Sequence, residues 1–291
     1  MEIHDWRATA GLNEVYREIR GLGLEPAIAE LETFGFTVLE GVLVERERTE
    51  LAEALVDIAE QAVGSPIDRE RGCRLDGTPV HKWFPMLLTR GDLFRRLILH
   101  PVSEALVTYL LGASATVSSV TAFVRGPGDS GRELHCDDES PNPLPRYAQV
   151  ANLHWILSPY TRENGAMSIV PGSHRLCRMP VPGEGDDLAI PVETPPGSII
   201  LFHGNTWHGA FPRTAPGLRL TIAAYFNRGT YRWQNENYLD ALGADVLAQY
   251  PERFSRWLGS RIPWHWASVE ERMERRQLVD EVARTSHRQE G

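Results

Sequence analysis

The sequence predicts a mainly β core with helical cladding, a sandwich or barrel folded as a single domain. Three observations carry this. From about residue 115 to 230, short β-prone runs alternate with Gly/Pro punctuation. Helical periodicity dominates about 1–114 and returns over about 235–285. No internal repeat or linker divides the 291 residues, and barrels and sandwiches of this size are often single units.

The elements follow in order. "PAIAELETFG" places Pro26 at a helix start and Gly35 just past its end. "FTVLEGVL" reads as a strand. In "VERERTELAEALVDIAEQAVG", Leu51, Leu55 and Ile58 recur at helical spacing and Gly64 ends the run. Residues 64–90 lack a period and are expected to be irregular, and "PVSEALVTYLLG" is a helix opened by Pro101. Six β runs come next: "ATVSSVTAFV", "RYAQVANLHWIL", "AMSIV", "LAIPVE", "GSIILFH" and "LRLTIAAYF". "YLDALGADVLAQYPERFSRWLG" and "ASVEERMERRQLVDEVARTS" are helical again. "GPGDSG" lacks the strand–GxxxxGK[ST]–helix context of a phosphate loop and reads as a turn.

Composition narrows the function classes. Hydrophobic residues at 42% and charged residues at 24% suffice for a sizeable core. A net charge of −9 without any basic run argues against nucleic acid or an anionic membrane as partner and leaves a small-molecule substrate open. "MEIHDWRATA" has no apolar signal region and no stretch reaches membrane-spanning length, so neither export nor a membrane span is expected. Cys73, Cys136 and Cys177 are odd in number and without CxxC spacing, which fits a reducing cytoplasm without disulfides or structural zinc. No obligate protein partner is evident.

The chemistry gathers around "LHCDDE", residues 134–139. On a strand, i and i+2 share a face, so His135 and Asp137 point together while Cys136 and Asp138 point away. Asp138 and Glu139 are expected to be supporting or solvated. A further imidazole is available from His203 or His208. Eleven residues past His208 stands Arg219, sharing a strand face with Thr221. An arginine on the inner face of a barrel needs an anion, and its planar fork suits a carboxylate. Two imidazoles and one carboxylate form the facial triad of non-haem Fe(II) oxygenases, leaving positions for a chelating 2-oxo acid and for O2.

Four blocks, "FGFTVLEGVL", "LHCDD", "ENGAMSIVPGSHR" and "HGNTWHGA" with its arginine eleven residues on, resemble the phytanoyl-CoA dioxygenase family of Fe(II)/2-oxoglutarate oxygenases along nearly the whole chain. The resemblance implies a double-stranded β-helix (jelly-roll, cupin-like) core, with His135, Asp137 and His208 on iron and Arg219 on 2-oxoglutarate. It favours His208 over His203, because only His208 has the family spacing to Arg219. It also points to His154, ten residues before the Asn of "NG", and to Lys82 of "HKWFP" as contacts of the cosubstrate. Where some members carry a hydroxyl two residues after the distal histidine, this chain has Ala210, and Thr221 is the candidate to compensate.

The implied activity is an Fe(II)-, 2-oxoglutarate- and O2-dependent oxidation, most simply hydroxylation. Family halogenases lack the carboxylate that Asp137 supplies here. The expected substrate is a small, moderately apolar molecule, as in secondary metabolism. Trp83, Phe84, Trp155, Tyr231 and Trp233 are candidates for its pocket, although aromatics more commonly fill cores. An acyl-CoA or carrier-bound acyl substrate is the alternative, with Arg69, Arg71, Arg74 and Lys82 as a basic rim. From other classes, a non-catalytic metal- or ligand-binding jelly roll and a zinc hydrolase compete. His174 is expected to brace a turn.

Overall fold

The computed structural model describes residues 9–229, 236–260 and 273. The N-terminal part comprises helices α1 (Thr9–Gly21), α2 (Glu25–Phe34), α3 (Glu45–Val63), α4 (Asp92–Ile98) and α5 (Pro101–Leu111). Strands β1 (Phe36–Leu39), β2 (Ile67–Asp68), β3 (Cys73–Arg74) and β4 (His81–Phe84) are interleaved with them. The β-rich centre holds β5 (Thr116–Arg125), β6 (Arg132–His135), β7 (Val150–Ile156), β8 (Met167–Ile169), β9 (Ile190–Pro191), β10 (Ile199–His203), β11 (His208–Ala210) and β12 (Arg219–Asn227). Three short helices follow: α6 (Tyr238–Leu242), α7 (Ala244–Leu247) and α8 (Glu252–Trp257).

Local signals set most boundaries. Gly35 caps α2 in the left-handed conformation (φ +82°), its N–H donating to the Leu31 carbonyl, and Gly64 does the same for α3 on Glu60. Strand β1 is shorter than "FTVLEGVL" predicts. Its register with β10 runs out at Leu39–Ile199, and a strand continues only while a partner supplies hydrogen bonds. The expected irregular stretch 64–90 contains the β2–β3 ribbon and β4, which pairs with β5. Helices α1 and α4 fall within the stretch expected to be mostly helical. The predicted helix over residues 238–259 breaks into three at Gly243 and Pro251, and "ASVEERMERRQLVDEVARTS" lies outside the described residues apart from Met273.

Apart from the β2–β3 ribbon, the strands form two antiparallel sheets, a larger one in the order β1-β10-β7-β12-β5-β4 and a smaller one in the order β6-β11-β8-β9. This is the jelly-roll fold. Alternation along each strand divides its side chains between two surroundings. On one face of the large sheet Ala122, Val124, Leu153, Trp155, Ile222 and Ala224 are buried in one core with Leu51, Leu55 and Leu106 of the helices. On the other, Ile156, Ile200 and Phe202 meet Met167 and Ile169 of the small sheet. Among the described residues, no helix is long and apolar enough to cross a membrane.

The aromatic candidates separate accordingly. Trp155 and Phe84 belong to the helix-side core, and Trp83 is exposed. Tyr231 and Trp233 lie outside the described residues.

Candidate active site

His135, Asp137 and His208 converge, one ligand atom from each lying within 4.8 Å of the others. Antiparallel pairing explains how. His208, the first residue of β11, is the direct partner of His135, the last of β6, and directly opposed side chains share a face. The rings lie 4.2 Å apart. Each Nδ1–H donates to a carbonyl close by in sequence at 3.0 Å, Glu133 for His135 and Thr206 for His208. Both Nε2 atoms are thereby turned to the Asp137 carboxylate, at 3.9 Å from His135 and 3.5 Å from His208.

The carboxylate is itself held. Asp137 N–H donates to the Gly204 carbonyl at 3.0 Å, and Tyr225 Oη donates to the Asp137 carbonyl at 3.0 Å. Asn152 Nδ2 donates to Asp137 Oδ2. Gly204 permits this approach, since a Cβ there would stand 2.7 Å from Asp138 Oδ2 and 2.8 Å from Val150. Burial holds the His135 and His208 imidazoles down to about 4, so both are neutral, metal-ready donors at physiological pH.

The three residues line a cavity of about 450 Å³ between the sheets, and Arg219, Thr221, His154 and Asn152 line it too. Alternation accounts for this set: Asn152 and His154 on β7 and Arg219 and Thr221 on β12 occupy the inward positions. The Arg219 guanidinium lies 5.8 Å over the Tyr160 ring and donates through Nη1 to the Gly165 carbonyl. Gly165 (φ +74°) is required there, because a Cβ would come within 3.1 Å of Arg219 Nη1 and 3.0 Å of Arg213. Burial pushes His154 down to about 3, with the neighbouring His208 and Arg219 acting in the same direction.

Three polar atoms facing this region, His135 Nε2, His154 Nδ1 and Arg219 Nε, are buried without a hydrogen-bond partner. An unsatisfied buried group costs roughly 1–3 kcal/mol, so three around one cavity mark a site organised for ligands. A neutral imidazole nitrogen suits a metal ion, and a guanidinium suits a carboxylate.

A family profile described as Phytanoyl-CoA dioxygenase (PhyH) matches residues 31–221. The chain belongs to the phytanoyl-CoA dioxygenase family. It is thus an enzyme of the Fe(II)/2-oxoglutarate oxygenases. Among curated relatives, Dioxygenase af480 of Aspergillus fumigatus is 29% identical over 191 residues, spanning 64% of this chain and 61% of its own length. Among solved structures, the epimerase SnoN in complex with Fe3+, alpha ketoglutarate and nogalamycin RO is 25% identical (TM-score 0.56), covering 78% of this chain and 94% of SnoN. HygX from Streptomyces hygroscopicus, with nickel and 2-oxoglutarate bound, is 20% identical (TM-score 0.59), covering 76% and 93% of the two chains.

Other sequence candidates of this phytanoyl-CoA dioxygenase family member are placed elsewhere. Lys82 pairs with Val124, a core residue on the helix side of the large sheet, so the register turns it away from the cavity and from any cosubstrate held there. His203, the rival to His208, accepts from Asn205 N–H at 3.0 Å and packs 5.4 Å from His174. It braces the turn before β11. Asp138 is fully buried, not solvated, and accepts from Gln149 N–H at 3.4 Å. Cys136 faces away from the cavity, as alternation predicts, and packs with Trp207 and Val170.

The expected basic rim is not assembled at the cavity. Arg69 is engaged by Glu53 at 2.7 Å and Arg74 by the Val63 carbonyl at 3.3 Å. Sequence reasoning missed Asn152, Tyr225, Arg125 and Arg132, all of which line the cavity. The first was within reach: Asn152 precedes His154 by two on the same strand and so shares its face.

Proposed function

We propose that this enzyme oxidises, and most simply hydroxylates, an unactivated C–H of a small organic molecule, with His135, Asp137 and His208 holding Fe(II) and Arg219 holding the far carboxylate of 2-oxoglutarate. The observation that carries the reading is the convergence of His135 Nε2, His208 Nε2 and the Asp137 carboxylate at one end of a cavity that also contains Arg219. When bound, the iron supplies decarboxylation of 2-oxoglutarate and activation of O2, chemistry that no side chain provides.

The remaining residues act on geometry and access. Asn152, Tyr225 and the Gly204 carbonyl fix the orientation of Asp137. The Glu133 and Thr206 carbonyls select the tautomer that leaves each Nε2 free for metal. Tyr160 and Gly165 position the Arg219 fork, Thr221 offers a hydroxyl two residues further along the same face, and His154 presents a neutral ring. The hydrophobic layer of Ile156, Met167, Ile169 and Phe202 limits water in the space between the sheets.

Anaerobic titration with Fe(II) and then 2-oxoglutarate tests the reading. A weak visible charge-transfer band, diminished in Arg219→Ala, supports it. Iron binding with no band on adding 2-oxoglutarate would remove the cosubstrate and with it the oxygenase reading.

A further inference from the structure

We infer that the substrate carries a carboxylate and that Arg132 is the residue that recognises it, a specificity determinant at the mouth of the metal centre. The inference rests on the oxygenase reading above. Arg132 precedes the proposed iron ligand His135 by three residues, a spacing that in a regular strand would send the two side chains to opposite faces. They nevertheless line one cavity. The cause is a bulge. His135 pairs with His208 and Arg132 with Ala210, so three steps along β6 are matched by two along β11. One extra residue in one strand reverses the alternation, and such bulges re-aim side chains beside active sites.

Two glycines make the bulge possible. A Cβ on Gly209 would stand 2.3 Å from the Arg132 carbonyl and 2.9 Å from that of Glu133. One on Gly131 (φ +84°) would stand 2.4 Å from the Ala210 carbonyl. Ala210, directly across from Arg132, is small and leaves room before the guanidinium. The backbone on both sides is thus shaped around the placement of this one arginine.

Charge identifies the ligand. The cavity is lined by three arginines, Arg125, Arg132 and Arg219, and by Asp129 and Asp137. Arg125 pairs with Asp129 at 3.5 Å. In the loaded site, the ferrous ion and Arg219 together balance the 2-oxoglutarate dianion and Asp137. Arg132 is left over at the exposed mouth of the cavity, without a side-chain ion pair or hydrogen bond to another described residue. One uncompensated guanidinium facing the metal ligands suits one carboxylate, received through its planar fork.

The test uses full-length protein loaded with nickel(II) and 2-oxoglutarate, probed by thermal shift with small carboxylic acids, each paired with its methyl ester and primary amide. Acids are expected to bind in preference to their neutral counterparts. Arg132→Gln should weaken acid binding about 10-fold or more with 2-oxoglutarate affinity unchanged, and Arg132→Lys should restore part of the preference. Esters or amides binding as well as acids would overturn the assignment. So would the absence of binding by every acid, or an Arg132→Gln variant that loses 2-oxoglutarate affinity instead. If wild-type protein shows no charge-transfer band with Fe(II) and 2-oxoglutarate, the oxygenase reading itself has failed, an outcome separate from these.

Discussion

His208 stands directly opposite His135 across the β6–β11 pair, so two distant positions in the chain meet ring to ring at 4.2 Å. Each ring commits Nδ1 to a carbonyl and has Nε2 alone for an ion. Substituting either residue by alanine should abolish stoichiometric Fe(II) binding, measured by metal analysis of anaerobically loaded protein. His203→Ala should retain iron, because His203 is turned to His174, and should lose roughly 1–3 kcal/mol of stability by stranding Asn205 N–H. Loss of iron in that variant would show that the wrong imidazole was assigned.

Arg219→Ala should raise the 2-oxoglutarate requirement about 30-fold or more while iron stays bound, since truncating one member of a buried charge pair costs about 2 kcal/mol or more. Gly165→Ala should act in the same direction by pushing on Arg219 Nη1, 3.1 Å from the new methyl group. Equilibrium titration of the charge-transfer band reads both. Unchanged 2-oxoglutarate affinity in Arg219→Ala would place the cosubstrate elsewhere.

Asn152→Leu removes the amide that donates to Asp137 Oδ2. Loss of such a supporting hydrogen bond typically costs about 10–100-fold in metal affinity. A competitive Fe(II) titration should find a drop in that range with the fold intact by circular dichroism. Wild-type affinity would mean that Asp137 needs no such support.

Acid should destabilise the metal-free protein. Burial pushes His154 and His203 down to about 3, whereas in the unfolded chain histidine titrates near roughly 6.5. Between those values the unfolded chain binds more protons, so stability rises with pH across the window and levels off above about 7. Melting temperatures between about pH 5 and 8 should fall below about 6.5, and His203→Asn should flatten the slope. An identical slope in that variant would assign the acid sensitivity to other groups.

Much of the frame was legible from local rules. Pro26, Gly35 and Gly64 bound helices that form where expected, because cap preferences act within one turn. Period-two alternation put Arg219 and Thr221 on one face before any partner strand was known, and both line the cavity. Residue type and spacing alone were enough to bring two imidazoles, a carboxylate and an arginine forward as candidates.

Tertiary structure decided which of those side chains meet. Lys82 looked suitable by position, but pairing with Val124 sends it to the helix side, and a register is set by a partner more than thirty residues away. Arg132 went unnoticed in the sequence: it stays exposed, and only the one-residue mismatch between β6 and β11 brings it to the cavity that holds His135. Asp138 could have been supporting or solvated, and the close approach that Gly204 allows buries it. The physical reason is common to all three: alternation follows from the residue's own backbone, whereas register, bulges and burial depend on which distant segment lies alongside.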